Sequence, residues 1–343
     1  MSYVTLKDIA KVANVSYSTV SRALSGSKEI SEATRQRVLD ICRQMGYTTD
    51  YVARSMVLGT TNTIGLILTN LNNPFMSELA SYIERNARAA GFDLILCSSA
   101  HSLEQEQQVF QLLVGRRVDG IIIVPSAQES YVSLDAYVGK VPTVFISGNS
   151  RDMPVNYVSV DNFDGSMLGM EYLISLGHRD IVYFGRRQSS LTHTLRAEGY
   201  LASCSKYGLT PQFKNNTRNY TSIDNGYELA RELFAKKPLT FTAIFAYSDT
   251  NALGVIKAAD EAGIRIPEEV SLLGFDNISY ADLPKIELST VEQPKEEMAA
   301  RAMEELVRRI RDGVGDLFQL VLPPRLIKRK SCVQVRRQAA AQE

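Results

Sequence analysis

Residues 5–24, TLKDIAKVANVSYSTVSRAL, carry the apolar spacing of two short helices and constrain the fold more than any other stretch. Leu6, Ile9, Ala10 and Ala13 fall at i, i+3, i+4 and i+7, the packed face of a helix over Leu6–Ala13. Thr5 and Asp8 give it a capping box. The pattern breaks at Asn14–Val15, and Ser16 is placed to cap a second helix, Tyr17–Leu24. Val20, Ala23 and Leu24 form its apolar side, while Tyr17, Ser18, Ser21 and Arg22 form the other. This spacing predicts a helix-turn-helix whose second helix is short and polar enough to lie in a DNA major groove. The alternative is two surface helices of an ordinary helical domain, and the outer face argues against it. Ser and Thr hydroxyls serve phosphates, an Arg bonds guanine bidentately, and a Tyr meets a base edge or a thymine methyl. Tyr17, Ser18 and Arg22 are therefore expected to read bases, and Ser16, Thr19, Ser21 and Thr34 to hold phosphates. Thr5 joins this DNA-contacting set.

The charge distribution agrees. Residues 1–60 carry eight Lys and Arg against five Asp and Glu, whereas the whole chain balances 38 against 38. A positive head on a slightly acidic body is the pattern of a DNA reader fused to something else. At 343 residues the chain should hold two or three domains, and 45% hydrophobic with 22% charged residues is a globular composition. Cys42, Cys97, Cys204 and Cys332 are isolated, with no Cys/His spacing for a metal. Cys97 and Cys204 lie in apolar contexts that predict buried thiols, and the four together point to a reducing compartment. No apolar run reaches ~18 residues and no secretory h-region opens the chain, so neither a membrane span nor secretion is expected.

The head LKDIAKVANVSYSTVSRALSG resembles that of the LacI/GalR family of bacterial transcription repressors. So do ISEATRQRVLDICRQMGY as a third helix and YVARSM after it. The resemblance continues in order through NPF, RRVDGIIIV, SVDN, LGHRDI, SDTNALG, IPEEVSLLGFDN and TVEQP, from about residue 4 to about residue 331. It implies that Asp50–Met56, DYVARSM, is a hinge helix entering the minor groove at the operator centre. Ala53 would contact DNA there, and Met56 would stand at the wedge position. A plain linker shielded within a dimer is the alternative for this segment.

Beyond Thr60, short branched-rich runs at 64–70, 93–99, 119–125 and 142–148 alternate with helical patterns at 76–90, 104–116 and 130–138. A second series follows, with strands at 157–161, 181–185, 242–246 and 270–275 and helices at 163–176, 195–207, 225–236 and 249–262. Such alternation predicts parallel strands with crossover helices. Near residues 290–294 the chain returns toward the first series, and Pro294 opens a last helix, KEEMAARAMEELVRRIRD, acidic at its start and basic at its end. The body resembles a periplasmic-binding-protein fold with two lobes closing on a ligand. The expected class is α/β, with an N-terminal helix-turn-helix domain and a two-lobed α/β effector domain. The expected boundaries are 1–49 for the head, 50–60 for hinge and linker, and 61–343 for the effector-binding and dimerisation domain. Lobe 1 takes about 61–161 and 292–322, and lobe 2 about 162–291 and 323–338.

Enzyme chemistry has no residues to stand on. There is no P-loop and no GxGxxG, and Ser147-Gly148 lacks the surroundings of a nucleophile elbow. His178, in a turn before a strand, reads as structural, while His193 sits in a loop able to face a ligand. A transport protein would leave the head unexplained. No cofactor is expected.

Ligands of α/β lobes sit at the carboxyl ends of strands. That rule selects Phe75, Arg196, Tyr220, Asp276 and Asp249. Phe75 offers a flat apolar face, Arg196 a donor fork, Asp276 an acceptor and Tyr220, at the end of a strand, a second wall. The resemblance places the first four in the effector pocket. Each has a plainer alternative: Phe75 as lobe core, Arg196 as an ion-pair partner, Asp249 as a helix cap. Nucleobase-binding members carry an aromatic where this chain has Gly148 and an Arg where it has Ser190. A sugar or sugar derivative is therefore the expected effector. The expected partners are a palindromic operator duplex and a second copy of the chain. The tail IKRKSCVQVRRQAAAQE has no leucine heptads, so a homodimer is expected without the tetramer-forming coiled coil.

Overall fold

The computed structural model describes residues 4–24, 27, 29–47, 60–127, 129–130, 134, 139–146, 154–185, 191–215, 222–313 and 315–335. The hinge segment with Ala53 and Met56, and Ser147, Gly148, Ser190 and Tyr220, lie outside them. So does most of the helix expected at 130–138. The chain divides into two units, Met1–Thr61 and Asn62–Glu343.

In the first unit, α1 spans Leu6–Ala13, α2 Tyr17–Leu24 and α3 Glu32–Gln44. The capping box is formed as read: the Asp8 N–H donates to Thr5 Oγ1, and Thr5 N and Oγ1 donate back to Asp8 Oδ2 at 2.9 and 2.7 Å. Those bonds hold the Asp8 carboxyl below its ordinary pKa. Asn14 ends α1 in the left-handed region, φ 51°, a conformation its short polar side chain tolerates. Ile9, Ala13, Val20, Ala23, Val38 and Cys42 are buried together, so the apolar stripes of the three helices meet.

The second unit holds two six-stranded sheets. The first has the order β11-β5-β4-β3-β1-β2. Its strands are β1 Thr63–Leu68, β2 Asp93–Ser98, β3 Gly120–Ile123, β4 Thr143–Ile146, β5 Tyr157–Val160 and β11 Gln319–Leu322, all parallel. The second runs β12-β10-β9-β8-β6-β7. Its strands are β6 Ile181–Phe184, β7 Gln212–Lys214, β8 Ala243–Ala246, β9 Ser271–Asp276, β10 Ser289–Glu292 and β12 Arg325–Ile327. Only the β10–β12 pair is antiparallel.

Helices cover both faces of each sheet, which is why the inner strands read as unbroken apolar runs. On the first sheet, Ile64, Leu66, Ile122 and Val144 share a core with α4 (Pro74–Ala90) and α10 (Lys295–Asp312). Ile67, Ile121 and Phe145 turn the other way, toward Phe110 and Leu113 of α5 (Leu103–Gly115). On the second sheet, Ile181, Tyr183, Phe245 and Leu273 pack with α6 (Asn162–Ser175) and α7 (Leu191–Tyr207). Val182, Ile244 and Leu272 pack with α8 (Ile223–Phe234) and α9 (Asp249–Glu261). Helix α7 begins four residues earlier than the expected 195, so it includes His193. The chain passes between the sheets three times: at Asp161, at Gln293–Pro294 and at Pro323–Pro324.

One expectation is corrected. Cys97 is half-buried rather than buried, because β2 is the sheet's outermost strand; Cys204 is buried.

Helices α8 and α9 approach through glycine. A Cβ added at Gly254 would lie 2.0 Å from the Ile223 carbonyl oxygen. Backbone cannot yield as a side-chain tip can, so Gly254→Ala should cost about 1–3 kcal/mol. The check is the urea midpoint of the purified chain; a midpoint equal to wild type would mean that the two helices separate freely.

Candidate DNA-reading face and effector site

The outer face of α2 is presented as its pattern requires. Tyr17 is 52% exposed, and Ser18, Ser21 and Arg22 are exposed with it. Ser16 Oγ accepts from the Thr19 N–H at 3.1 Å and lies 2.8 Å from both the Ser18 and Thr19 hydroxyls. The start of the helix is thus a cluster of hydroxyls around free-ended backbone donors, suited to a phosphate. Arg22 Nε lies 3.4 Å from Glu29 Oε2, with both side chains more than half exposed. Such a pair is worth little in water and yields readily to a stronger acceptor. Thr34 occupies the first turn of α3, where its N–H donates to the capping hydroxyl of Ser31. Thr5 spends its hydroxyl on Asp8.

The strand ends of the second sheet bring Arg196 and Asp276 together. Arg196 lies in α7 and is 2% exposed. Its Nε donates to Asn162 Oδ1 at 2.8 Å, Nη1 to the Tyr247 carbonyl at 2.7 Å and Nη2 to Asp276 Oδ1 at 3.3 Å. The guanidinium lies 3.6 Å from the centre of the Phe275 ring and 4.7 Å from that of Tyr247. His193, from the same helix, packs against Tyr247 with its ring tilted by 39° and its centre 3.8 Å away. Asp276 ends β9, is 4% exposed, and also accepts from Gln293 Nε2 at 2.7 Å. Burial pushes its carboxyl pKa up, opposed by Arg196 and the Gln293 bond.

Two residues essential to this arrangement were missed when single positions were singled out. Gln293 is 3% exposed, and its Oε1 has no hydrogen-bond partner among the described residues. Lys295, 7% exposed, donates to the Asp276 carbonyl at 3.0 Å. Gln293 lies within the TVEQP motif and Lys295 directly after it. The available signal was a polar residue between a strand and a helix where the chain changes lobes.

The other expected contacts are placed differently. Phe75 is 4% exposed at the start of α4 and packs in the apolar core; the alternative of lobe core describes it in this conformation. Asp249 is fully buried, accepting from Thr290 Oγ1 at 2.6 Å and from the Ile278 N–H at 2.9 Å. The helix cap beside it is Ser248. Burial, then the Asp276 charge, push the Asp249 pKa up to about 8. Asp249 ties β10 and the loop after β9 to the start of α9, which is a structural duty. His178 is likewise structural, with Nδ1 2.8 Å from Thr242 Oγ1 and Nε2 3.1 Å from the Val333 carbonyl. Burial lowers its pKa.

Residues 5–50 match the family described as bacterial regulatory proteins, lacI family, and residues 170–332 match a periplasmic binding protein-like domain. The chain is 31% identical to the HTH-type transcriptional repressor PurR of Pasteurella multocida over 329 residues, 95% of this chain and 98% of that protein. It is 33% identical to the HTH-type transcriptional regulator DegA of Bacillus subtilis, covering 95% and 97%. The crystal structure of the lac repressor dimer bound to operator and the anti-inducer ONPF superposes with a TM-score of 0.85, at 26% identity, covering 97% of this chain and all of that one. A LacI family transcriptional regulator from Enterococcus faecium, solved with bound ribose, gives a TM-score of 0.69 at 27% identity, over 80% of this chain and all of that one. These relatives are transcription regulators, and no helix among the described residues is long and apolar enough to cross a membrane. The chain belongs to the LacI family of bacterial transcription regulators.

Proposed function

We propose that this regulator is a repressor of the bacterial cytoplasm, associated with the nucleoid. It binds a palindromic operator as a homodimer and responds to a sugar or sugar derivative held between its two lobes. The observation that carries the ligand reading is the buried polar group at the strand ends of the second sheet. Among the described residues, Arg196 spends three of its five N–H donors on protein acceptors, and Gln293 Oε1 is an unspent acceptor beside Asp276. Donors and acceptors side by side suit vicinal hydroxyls. Phe75, packed in the core in this conformation, would have to turn toward the ligand to serve as the apolar floor on the first lobe, and Tyr220 is the further wall. Asp249 drops out as a contact because both its oxygens are engaged. The ribose bound by the Enterococcus faecium protein supports the sugar reading.

On the DNA side, Tyr17, Ser18 and Arg22 read bases, while Ser16, Thr19, Ser21 and Thr34 hold phosphates and Thr5 keeps α1 at the backbone. Ala53 and Met56 enter the minor groove at the centre of the site. Exposed Leu96 on the outermost strand, and exposed Tyr280 and Leu283, suit an interface between two copies.

Three measurements test this. Arg22→Ala should cost about 1–3 kcal/mol on an operator selected from random duplexes and relax preference at one base pair; an equal loss on unselected DNA would reduce Arg22 to a phosphate clamp. Light scattering at micromolar concentration should give about twice the 38.1 kDa chain mass, and a stable tetramer would refute the homodimer. A thermal-shift panel of pentoses, hexoses, sugar acids and nucleobases should yield a sugar that stabilises by roughly 2.7 kcal/mol at a hundredfold excess over Kd. That sugar should change operator affinity of the wild type and leave Asp276→Ala unaffected, with basal operator binding retained. An Asp276→Ala dose curve equal to wild type would remove the effector site from this position.

A further inference from the structure

The strand that presents Asp276 leaves it through two residues of positive φ, Asp276 at 118° and Asn277 at 51°. An asparagine tolerates the second value, but Asp276 at 118° is strained, and such a turn persists only where its surroundings hold it. Lys295 is the holding group. Its Nζ donates to the carbonyls of Asp276 at 3.0 Å and Asn277 at 2.6 Å and lies 3.3 Å from Glu78 Oε2. The position is costly for a lysine. It is 7% exposed and is the first residue of α10, where the helix dipole disfavours a cation. Glu78, from α4 of the first lobe, completes the arrangement: its Oε1 accepts from the Ser279 N–H at 2.7 Å. One carboxylate thus takes both the lysine and the loop that follows Asp276.

These contacts form a continuous polar bridge from a first-lobe helix, through Glu78 and Lys295, to the backbone of Asp276, Asn277 and Ser279 in the second. Asn277 is fixed from its other side, its Nδ2 donating to Glu292 at 2.8 Å and its Oδ1 accepting from Arg329 at 2.9 Å. A groove of about 660 Å³ runs beside the bridge, lined by Glu78, Tyr82, Ser279, Gln293 and Lys295 among others. At this place hydrogen bonds across the groove stand beside apolar packing, for Ile278 and Ala281 share a buried cluster with Phe75 and Leu79; the polar contacts are the part of the joint that a change at Asp276 reaches first.

We propose that Lys295 is a positioning residue for Asp276 and that with Glu78 it forms an inter-lobe latch, which transmits the backbone geometry of Asp276 to α4. Its role in gating rests on the effector-site reading above; its existence does not. A ligand that draws on the Asp276 carboxylate moves the carbonyl that Lys295 holds, and Glu78 passes the change to the first lobe.

The test needs no ligand, so its failure is separable from failure of the effector site. Full-length wild type, Lys295→Met, Glu78→Gln and the double variant are compared on an operator duplex selected by the wild-type protein. Hydrogen exchange is measured on the same samples. Glu78→Gln keeps an acceptor for Ser279 while removing the charge. The latch predicts that both single variants shift the operator Kd in the same direction by about fivefold or more, and that the double variant goes no further. It also predicts faster exchange at residues 276–280 and, across the lobes, at residues 74–82. A merely structural lysine would lower stability without moving the operator Kd of the folded protein. Wild-type operator affinity in the folded variants, additive effects in the double variant, or exchange changes confined to residues 276–280 would each overturn the latch. Should Lys295→Met fail to fold, Glu78→Gln alone decides: a shifted Kd with faster exchange at 74–82 supports the latch, and wild-type values of both overturn it.

Discussion

A guanidinium buried from water must find acceptors on every side or unfold what surrounds it. Arg196 finds them on three separate elements: the side chain of Asn162 at the start of α6, the carbonyl of Tyr247 after β8 and the carboxylate of Asp276 at the end of β9. The strand ends of the second sheet are held in mutual register by this one side chain, with Phe275 and Tyr247 filling its faces. Taking such a pair out of water costs more than a well-packed apolar substitute, so stability alone is a weak reason for its presence. Its value lies in a fixed set of donors and acceptors. The Arg196 fork and the Gln293 oxygen are thereby oriented in advance, the arrangement that costs a binding site least ordering.

How much of this was legible in the sequence varies with the physics of each part. The head was readable almost residue by residue, because a capped helix of eight residues declares its face through spacing and its start through Thr5 and Ser16. The body's strands were equally plain, since burial on both faces forces unbroken apolar runs. Ends were less so: α7 starts at Leu191, where the local pattern gave no periodic signal. The site divided along another line. Arg196 and Asp276 follow from the rule that ligands meet strand ends, but the duty of Asp249 could not be told from its position. Two carboxylates open from similar strand ends, and only the surrounding donors show that one is enclosed. Phe75 illustrates the same limit, since an aromatic at a strand end and an aromatic in the core read alike. Gln293 and Lys295 depend on contacts between segments distant in the chain, and no local pattern announces those.

The two lobes are related by more than resemblance. Each sheet uses the late C-terminal chain for one edge, β11 for the first and β12 for the second, and α10 returns to cover the first. The crossings lie beside the residues that make the site: Asp161 precedes Asn162, and Gln293–Pro294 precedes Lys295. Polar residues of the candidate site therefore lie at the points where the chain passes from one lobe to the other. A ligand acts on anything remote only where site and lobe arrangement are linked, and this threading places the two side by side.

The same threading has a consequence for the order in which the protein is made. When the ribosome has delivered residues 61–160, the first lobe has five of its strands and lacks both β11 and the helix that closes one of its faces. Ile122, Val144 and Val158, buried in the finished molecule, have no α10 to lie against until Met298, Ala302 and Leu306 emerge well over a hundred residues later. The second lobe, by contrast, lacks only its short antiparallel edge when residue 292 appears. The lobe begun first thus waits longest for the helix that completes its core. During synthesis its open apolar face is the surface most in need of a chaperone and most inviting to a wrong neighbour.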